Sequence, residues 1–386
     1  MADCTILDYI RWRGDLSFKV SPFCLADSVV LCQLSYVDFS QVLFPNSSKG
    51  ITLEKACEGI TEKDCFRLLT AMGGDDAFFR AAAASKRFGQ LKLTHYTDIF
   101  DKNYTQFAAI HFELDRNTSY VAFRGTDSSI IGWKEDFMMS FQSVPAQDGA
   151  ALYLAGTMQG RKKYYVGGHS KGGNLAVYAV SKLKPAEQRK ILRIYANDSP
   201  GFSPDVYPLE SILALKPLIT RLVPVYGIIG RLFQMEAETT KIVSSIASGI
   251  LQHDLMTWKL DGPEFCFAEQ FDVGSEVLIR TFHNWIENID EDGRKQFVDW
   301  LFDSLSVKGA VSVSDLKMKD LPDVLKSIFS ASKEAKDMAM DLPKLYFTEA
   351  GKEIYDEWNE YFKSMKKQAA IRKPMRIRKH ECRPVI

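Results

Sequence analysis

The sequence lacks the features that mark secreted, zinc-binding and strongly charged proteins. Its seven cysteines are an odd number among 386 residues, are scattered and include no C-x-x-C, so neither a disulfide framework nor a zinc site is expected. Lysine plus arginine and aspartate plus glutamate both number 49, which leaves no net field to attract nucleic acid. Binding and catalysis must therefore depend on local features.

Long uninterrupted hydrophobic runs are also missing. The N-terminal residues mix acids and arginines with apolar side chains and do not match the h-region of a signal peptide. The longest apolar region, Leu213 to Phe233, is interrupted by Lys216, Pro217, Arg221 and Pro224, which argues against a membrane span. We expect a cytoplasmic protein with no nucleic-acid partner and no metal or organic cofactor.

Hydrophobic periodicity predicts a helical start followed by an alternating body. Apolar residues at helical spacing predict a packing helix within 22–39. Aromatic and β-branched runs predict strands at 91–97, 106–114 and 119–123, with a hairpin turn between the last two. Strands at 191–196 and 218–225 alternate with helices at 133–141, 148–160 and up to about 183. This pattern indicates an α/β fold with a mostly parallel sheet flanked by helices.

The same periodicity divides the chain into three parts. Residues 1–275 are expected to form one α/β domain whose helical N-terminal part is 1–88, and residues 276–363 a helical C-terminal region. Residues 364–386 form a basic tail, which we interpret as flexible and solvated. Weak contact of this tail with an anionic membrane surface is the alternative. The pattern leaves the oligomeric state open.

The stretch most informative about function is 164–176, YYVGGHSKGGNLA. It holds a G-x-S-x-G, Gly168 to Gly172, between an apolar strand and a small-residue helix, which is the context of a nucleophile elbow. In such an elbow the serine occupies a strained turn that exposes its hydroxyl, and the glycines let the backbone cross closely. Ser170 is therefore the candidate nucleophile.

A serine nucleophile needs a histidine base, and three histidines follow Ser170 in the chain. In α/β-hydrolases the order along the chain is serine, acid, histidine, which restricts the base to His253, His283 and His380. His253 is favoured because it lies in a loop after the last predicted strand. His283 lies in an amphipathic helix and His380 in the basic tail.

The acid that orients the base is the less determined member of the site. Asp198 ends the strand after the nucleophile helix, at the sheet edge where active sites collect, and Asp205 is the runner-up. Asp254 is a poor choice, because a residue adjacent to His253 would have trouble reaching the ring nitrogen that faces away from the serine. A Ser-His pair without an acid remains open.

Donors for an oxyanion and a wall for the acyl group complete the predicted site. The backbone N–H of Lys171 follows the nucleophile, and Thr126 ends an earlier strand, so both are candidate oxyanion donors. The apolar segment 208–250 is where a lid or acyl-binding wall is expected. Its candidate residues are Ile228, Ile229, Leu232 and Phe233.

Several motifs together resemble a known family. AFRGT at 122–126, GWKEDF at 132–137 and GHSKGG at 168–173 resemble the class 3 (fungal-type) lipases of the α/β-hydrolase superfamily. In that family the residues matching Thr126 and Lys171 form the oxyanion hole. GGHSKGGNLA, NDSPGF and SSIASGILQHD followed by a tryptophan resemble more closely a bacterial family of unknown function described as lipase-like, over about 16–303.

The sequence departs from the class 3 pattern at two places. Class 3 lipases usually carry the acid on the strand after the one that bears Asp198, but 221–233 contains no carboxylate. Lys171 replaces the leucine that usually follows the serine, which predicts a cation at the mouth of the pocket and argues against a triglyceride-like substrate.

The predicted activity is that of a serine hydrolase. It would cleave a carboxylic ester, from a small molecule or a lipid, by a Ser-His-Asp mechanism through an acyl-enzyme. Two alternatives stay open: a non-catalytic binding protein of the same fold, and a thioesterase or acyltransferase that uses the same serine.

Overall fold

A nine-stranded mixed β-sheet runs through the protein. The structure is a computed structural model, and it describes residues 4–60, 74–101, 105–126, 138–139, 144–202, 209–276, 279–280, 283, 292–293 and 295. Its strands are β1 (Ile51–Thr52), β2 (Lys92–Asp101), β3 (Thr105–Glu113), β4 (Thr118–Phe123), β5 (Lys163–His169), β6 (Ile191–Asn197), β7 (Ile219–Pro224), β8 (Thr239–Val243) and β11 (Phe267–Ala268). Two short strands, β9 (Leu260–Asp261) and β10 (Glu264–Phe265), pair separately.

The strands of the sheet follow one another in the order of the chain. Neighbours from β1 to β4 are antiparallel, those from β4 to β8 are parallel, and β11 closes the far edge antiparallel to β8. The parallel half therefore presents the carboxyl ends of β4 to β8 along one edge, where α/β proteins build their sites.

Helices cover both faces of the sheet. They are α1 (Ile6–Arg13), α2 (Leu25–Leu34), α3 (Leu53–Gly59), α4 (Asp75–Ala84), α5 (Pro145–Thr157), α6 (Lys171–Ser181), α7 (Pro185–Gln188) and α8 (Leu209–Leu213). The N-terminal helices α1 to α4 pack on one face, and α5 and α6 pack on the other. Pro145 begins α5, where proline is tolerated because the first helical N–H groups have no partner within the helix.

Alternation along the strands gives the sheet a hydrophobic core on each face. In β4, Tyr120 and Ala122 belong to the core formed with α1 to α4, whereas Val121 and Phe123 belong to the core formed with α5 and α6. All four side chains are fully buried. Burial on both faces explains why the strand residues form continuous apolar runs in the sequence.

The predicted α/β class, a mostly parallel sheet flanked by helices, is confirmed. The hairpin of β3 and β4, the strands β5 to β7 and the helices α2, α5 and α6 lie where they were predicted. Helix α1 and the strands β1, β8, β9, β10 and β11 were missed. The helix predicted at 133–141 lies mostly outside the described residues, as do the tail 364–386 and, apart from a few positions, the region 276–363.

A lid or acyl-binding wall was predicted within segment 208–250, but much of this segment has another structural role. Its described part supplies α8, β7 and β8, so much of its hydrophobicity serves the sheet. The four predicted wall residues lie in the loop between β7 and β8, all partly buried. No helix in the described ranges is both long and apolar enough to cross a membrane.

A buried ion pair joins the N-terminal helices to the segment after α4. Arg87 donates to both carboxylate oxygens of Asp27, at 2.6 and 2.5 Å, and neither side chain is exposed. The third guanidinium nitrogen of Arg87, Nη1, donates to the carbonyls of Leu16 and Ser21, each at 3.0 Å. Tyr9 adds a hydrogen bond to Asp27 at 2.8 Å. The ion pair and its hydrogen bonds thus hold α1, α2 and the chain segment that leads into β2 against one another.

Two buried histidines lie side by side on β2 and β3, between the sheet and α5. The rings of His95 and His111 are 5.0 Å apart, and His111 Nε2 is 3.0 Å from Thr157 Oγ1. Burial lowers the pKa of both histidines, that of His111 well below its usual value. Both therefore stay neutral in the folded protein at neutral pH.

These neutral histidines make stability fall in acid. As pH drops below about 6.5, the unfolded chain binds a proton at each histidine before the folded chain does, so the free energy of unfolding decreases. Each histidine contributes up to about 1.4 kcal/mol per pH unit until its folded-state pKa is reached. Urea unfolding at pH 7 and at pH 5 should show this loss, and His111→Gln should make the pH dependence shallower. An unchanged pH dependence in His111→Gln would contradict the assignment.

Candidate active site

The candidate nucleophile lies on a strained turn between β5 and α6. Ser170 has φ 55° and ψ −131°, a conformation that costs a non-glycine residue about 1–3 kcal/mol. Its N–H donates to the carbonyl of Asn197 at 3.0 Å, and its carbonyl accepts from Gly173 at 3.0 Å. Ser170 is thereby held from both sides, and 8% of its surface is exposed.

The glycines around Ser170 are required by close backbone contacts. A Cβ on Gly168 would collide with the main chain of Gly172, and a Cβ on Gly172 would collide with the carbonyl of Phe123 at the end of β4. The elbow therefore lies directly against the neighbouring strand. This contact brings the start of α6 next to the chain that leaves β4.

The candidate base lies at the end of a short 3₁₀ turn after β8. This turn spans Gly249–His253, and Nδ1 of His253 is 2.6 Å from Oδ2 of Asp198. Because an ionised carboxylate only accepts, the geometry assigns the Nδ1 proton to His253 and leaves Nε2 able to accept a proton. The side chain of His253 is 28% exposed, whereas that of Asp198 is 1% exposed.

Hydrogen bonds hold the candidate acid through its main chain and through its carboxylate, which a neighbouring loop contacts. Asp198 follows β6 with φ 40°, and its N–H donates to the carbonyl of Leu222 at 2.7 Å. Oδ1 of Asp198 accepts from the N–H of Gly230 at 2.9 Å, while Oδ2 faces His253. A side chain at position 230 would collide with Oδ1, so only glycine lets this amide approach the carboxylate.

An arginine stands on β7, the strand that lacks a carboxylate. Arg221 is buried, and its guanidinium donates to the carbonyls of Met235, at 2.8 Å, and Gly230. Burial lowers its pKa to about 10, and the charge of Asp198 opposes that shift, so Arg221 is still cationic at neutral pH. It therefore supports the loop that donates to Asp198 and adds a positive charge near its carboxylate.

Three hydrogen bonds hold the segment that ends in His253. Trp258, which is fully buried, donates from Nε1 to the carbonyl of Gln252 at 2.7 Å. The side-chain oxygen of Gln252 accepts from the N–H of Tyr226 at 2.9 Å. His169 Nε2 is 2.8 Å from the carbonyl oxygen of His253. The candidate base thus lies on a main-chain segment in which Gln252 and His253 are both held by hydrogen bonds.

Asn174 ties the nucleophile helix to the loop after the acid. Its Nδ2 donates to the carbonyls of Pro200, at 3.3 Å, and Gly201, at 2.9 Å, and its Oδ1 accepts from Gln147 at 2.9 Å. Both amide side chains are fully buried. The motif residue Asn174 therefore links the two strand ends that bear Ser170 and Asp198.

The candidate oxyanion donors flank the elbow. Thr126 follows Gly125, and a Cβ on Gly125 would lie against the carbonyl of His169 and 3.2 Å from Cβ of Ser170, so this chain passes beside the nucleophile. Lys171 is the first residue of α6, where the helix dipole favours negative charge. The roles of Thr126 and Lys171 remain predictions.

The side chain of Lys171 does not lie where the sequence suggested. It is 1% exposed, and its Nζ donates to the carbonyl of Gln106 at 3.2 Å. The elbow turns this side chain back toward β3, so the predicted cation at the mouth of the pocket is wrong. The argument against a triglyceride-like substrate that rested on this cation no longer holds.

The alternative acids and bases considered from the sequence have other places in the chain or lie outside the described residues. Asp205 and His380 lie outside the described residues, and His283 is helical, as predicted. Asp254 accepts from the N–H of Met256 at 2.9 Å and so caps the next 3₁₀ turn, Leu255–Thr257. In the described ranges, no group of three or more histidine, cysteine, aspartate or glutamate side chains could hold a metal ion.

Three residues around the site were not found from the sequence. His169 lies inside the motif itself. A polar residue at the end of a buried strand is the sequence signal that could have identified it. Arg221 interrupts an apolar run, which is a similar signal. Tyr36, whose hydroxyl is 2.9 Å from Nδ1 of His169, lies 133 positions earlier in the chain, and no local pattern marks it.

Comparisons with known proteins give a family for this chain. The Mbeg1-like family model matches residues 82–303, which is more than half of the chain. No curated protein matches. Among solved structures, M37 lipase is 13% identical with a TM-score of 0.34, over 55% of this chain and 70% of that chain.

A second solved structure is the native propeptide complex of Rhizomucor miehei lipase. It is 15% identical with a TM-score of 0.35, over 66% of this chain and 76% of that chain. The α/β-hydrolase type of fold rests here on the sheet and helix arrangement. From the match of its family model across the elbow and the candidate acid and base, the chain belongs to the Mbeg1-like family.

Proposed function

We propose that the protein is a serine hydrolase that cleaves carboxylic esters through an acyl-enzyme. The observation that carries this proposal is the 2.6 Å contact between Nδ1 of His253 and the buried carboxylate of Asp198. A histidine held in this tautomer has Nε2 available for the proton of a serine hydroxyl, and Ser170 occupies a strained elbow at the same sheet edge.

In the proposed reaction Ser170 attacks the ester carbonyl while His253 takes the proton from its Oγ. The developing oxyanion is stabilised by the N–H groups of Thr126 and Lys171. The tetrahedral intermediate then expels the alcohol, which receives that proton from His253 Nε2, and the acyl group remains on Ser170. Water, deprotonated by His253, attacks the acyl-enzyme, and the bond from the acyl carbon to Oγ of Ser170 breaks. His253 returns the proton to that oxygen, which releases the carboxylic acid and restores Ser170. Asp198 stabilises the imidazolium form of His253 in both steps.

The proposed substrate is an ester of a small molecule or a lipid, and no metal or organic cofactor takes part. The loop that carries Ile228, Ile229, Leu232 and Phe233 adjoins Asp198 through Gly230. This proximity supports the proposal that the loop contributes to the acyl-binding wall. A cytoplasmic location and weak membrane contact through the basic tail remain predictions.

The test is covalent labelling by a fluorophosphonate probe. We expect the wild type to label and Ser170→Ala to lose labelling entirely, because the probe reacts with an activated serine hydroxyl. The matched control is Ser181→Ala at the other end of α6, whose hydroxyl donates to the carbonyl of Tyr178 in the same helix. That variant should label like the wild type.

Each outcome separates the candidate functions. Labelling lost in Ser170→Ala and kept in Ser181→Ala supports an activated serine, and paired oxoester and thioester substrates then separate esterase from thioesterase activity. A folded wild type that does not label favours a non-catalytic binding protein of the same fold. Circular dichroism of all three proteins excludes unfolding as the cause.

A further inference from the structure

His169, the residue before the candidate nucleophile, uses both of its ring nitrogens inside the protein. Its Nδ1 is 2.9 Å from the hydroxyl of Tyr36, and its Nε2 is 2.8 Å from the carbonyl oxygen of His253. The rings of His169 and His253 are 4.4 Å apart at 37°. Tyr36 and His169 are both buried.

These contacts assign one tautomer to His169. A carbonyl oxygen only accepts, so Nε2 must carry the proton that is donated to His253. Nδ1 of the neutral ring is then an acceptor, and the hydroxyl of Tyr36 is its donor. Burial, with the charge of His253 as a smaller cause, lowers the pKa of His169 well below its usual value. The ring is therefore neutral.

We propose that Tyr36 and His169 are positioning residues that fix the main chain of His253 relative to Ser170. The inference rests on the proposed function, because it assigns both residues a role in that reaction. His169 is bonded covalently to Ser170 and by hydrogen bond to His253, so it sets the distance between nucleophile and base. Tyr36 holds the tautomer of His169 that can donate to His253.

Tyr36 also borders the candidate oxyanion segment. Its hydroxyl occupies the space that a Cβ on Gly125 would need, one residue before Thr126. The side chain of Tyr36, in the turn after α2, therefore contacts both His169 and the chain segment that leads to Thr126. The helix within 22–39, which was predicted as a packing element, thus leads directly into a residue that reaches the proposed reaction site.

The neutral state of His169 matters to the proposed chemistry. His253 becomes an imidazolium when it accepts the serine proton, and a second cationic ring centred 4.4 Å away would oppose that step. The His169 ring contacts two described titratable residues, Tyr36 from the turn after α2 and His253 from its 3₁₀ turn. Neither brings a negative charge that would favour protonation of His169 at neutral pH.

The kinetic test compares Tyr36→Phe with Tyr178→Phe. Tyr178 is a buried tyrosine of α6 whose hydroxyl donates to Asp148 at 3.1 Å, so the control removes the same kind of hydrogen bond elsewhere. We expect Tyr36→Phe to lower kcat about 5- to 10-fold with KM changed less than twofold, and Tyr178→Phe to keep the wild-type kcat. His169→Ala should lose more activity, and His169→Gln, which keeps a donor toward His253, should recover most of it.

A spectroscopic test reads the tautomer without any turnover. In ¹⁵N-histidine-labelled protein, the His169 signal, assigned by its loss in His169→Gln, should show a protonated Nε2 and an unprotonated Nδ1 from pH 8 to pH 5. Tyr36→Phe should introduce the Nδ1-protonated tautomer. A wild-type His169 signal that titrates near pH 6.5, or that carries its proton on Nδ1, would overturn the inference.

The two tests distinguish failure of the inference from failure of the proposed function. An active wild type with equal kcat in Tyr36→Phe and Tyr178→Phe rejects the positioning role and leaves the hydrolase standing. A folded wild type that neither labels nor hydrolyses esters removes the reaction itself and rejects both. Equal thermal stability of the two phenylalanine variants assigns a loss of kcat to the site.

Discussion

Asp198→Asn is expected to lower kcat for ester hydrolysis about 10⁴-fold while the protein stays folded. That is the loss the same change causes in serine proteases, and the contacts of this site give its reason. Gly230 donates to Oδ1, so an asparagine would place its oxygen there and turn its NH₂ toward Nδ1 of His253. His253 must then move its proton to Nε2 and can no longer accept the proton of Ser170.

Steady-state kinetics and urea unfolding check this prediction together. The matched control is Asp148→Asn, which changes a carboxylate on α5 that accepts from Tyr178 and should keep wild-type kcat. If Asp198→Asn retains activity within tenfold of the wild type, Asp198 is not the acid. Asp205→Asn then separates the runner-up from a Ser-His pair, since only an acid at position 205 would make that variant inactive.

Asp27→Asn is expected to lower the free energy of unfolding by about 3–5 kcal/mol. The change leaves the guanidinium of Arg87 buried without its counter-charge, and the desolvation cost of that cation remains. Tyr9 and the N–H of Cys24, both 2.8 Å from the carboxylate, would retain only a neutral acceptor. Guanidinium chloride unfolding measures the loss.

The control for this second prediction is Asp76→Asn on α4. Asp76 pairs with Arg80 at 2.9 Å, but both side chains are about half exposed, at 50% and 53%. Exposed pairs of this kind contribute at most about 1 kcal/mol. Equal destabilisation by Asp27→Asn and Asp76→Asn would mean that the Arg87 pair does not anchor the N-terminal helices.

The nucleophile elbow could be predicted from the sequence because its signals are local. An apolar strand, a glycine-flanked serine and a small-residue helix stand within 13 residues, and each reflects a backbone requirement. Strand β8 was missed because its segment, TTKIV, is partly exposed and lacks a continuous apolar run. Helix α1 was missed because its apolar residues are interrupted by charged ones.

Side-chain direction could not be predicted. Lys171 follows the serine in sequence, but the strained turn at Ser170 rotates its side chain into the protein. The contact between His169 and His253 joins residues 84 positions apart, and it depends on how β5 and the turn after β8 meet. Such contacts follow from the assembled sheet and leave no periodic trace in the sequence.

The strand order of the sheet has a consequence for how the protein is made. Because each strand from β2 to β8 pairs with the one before it in the chain, every newly synthesised strand finds its partner already in place at the growing edge. Translation can therefore assemble the sheet stepwise from the N-terminus. His253 follows β8, so a ribosome-bound chain reaches a nearly finished sheet before it acquires the base that would make Ser170 reactive.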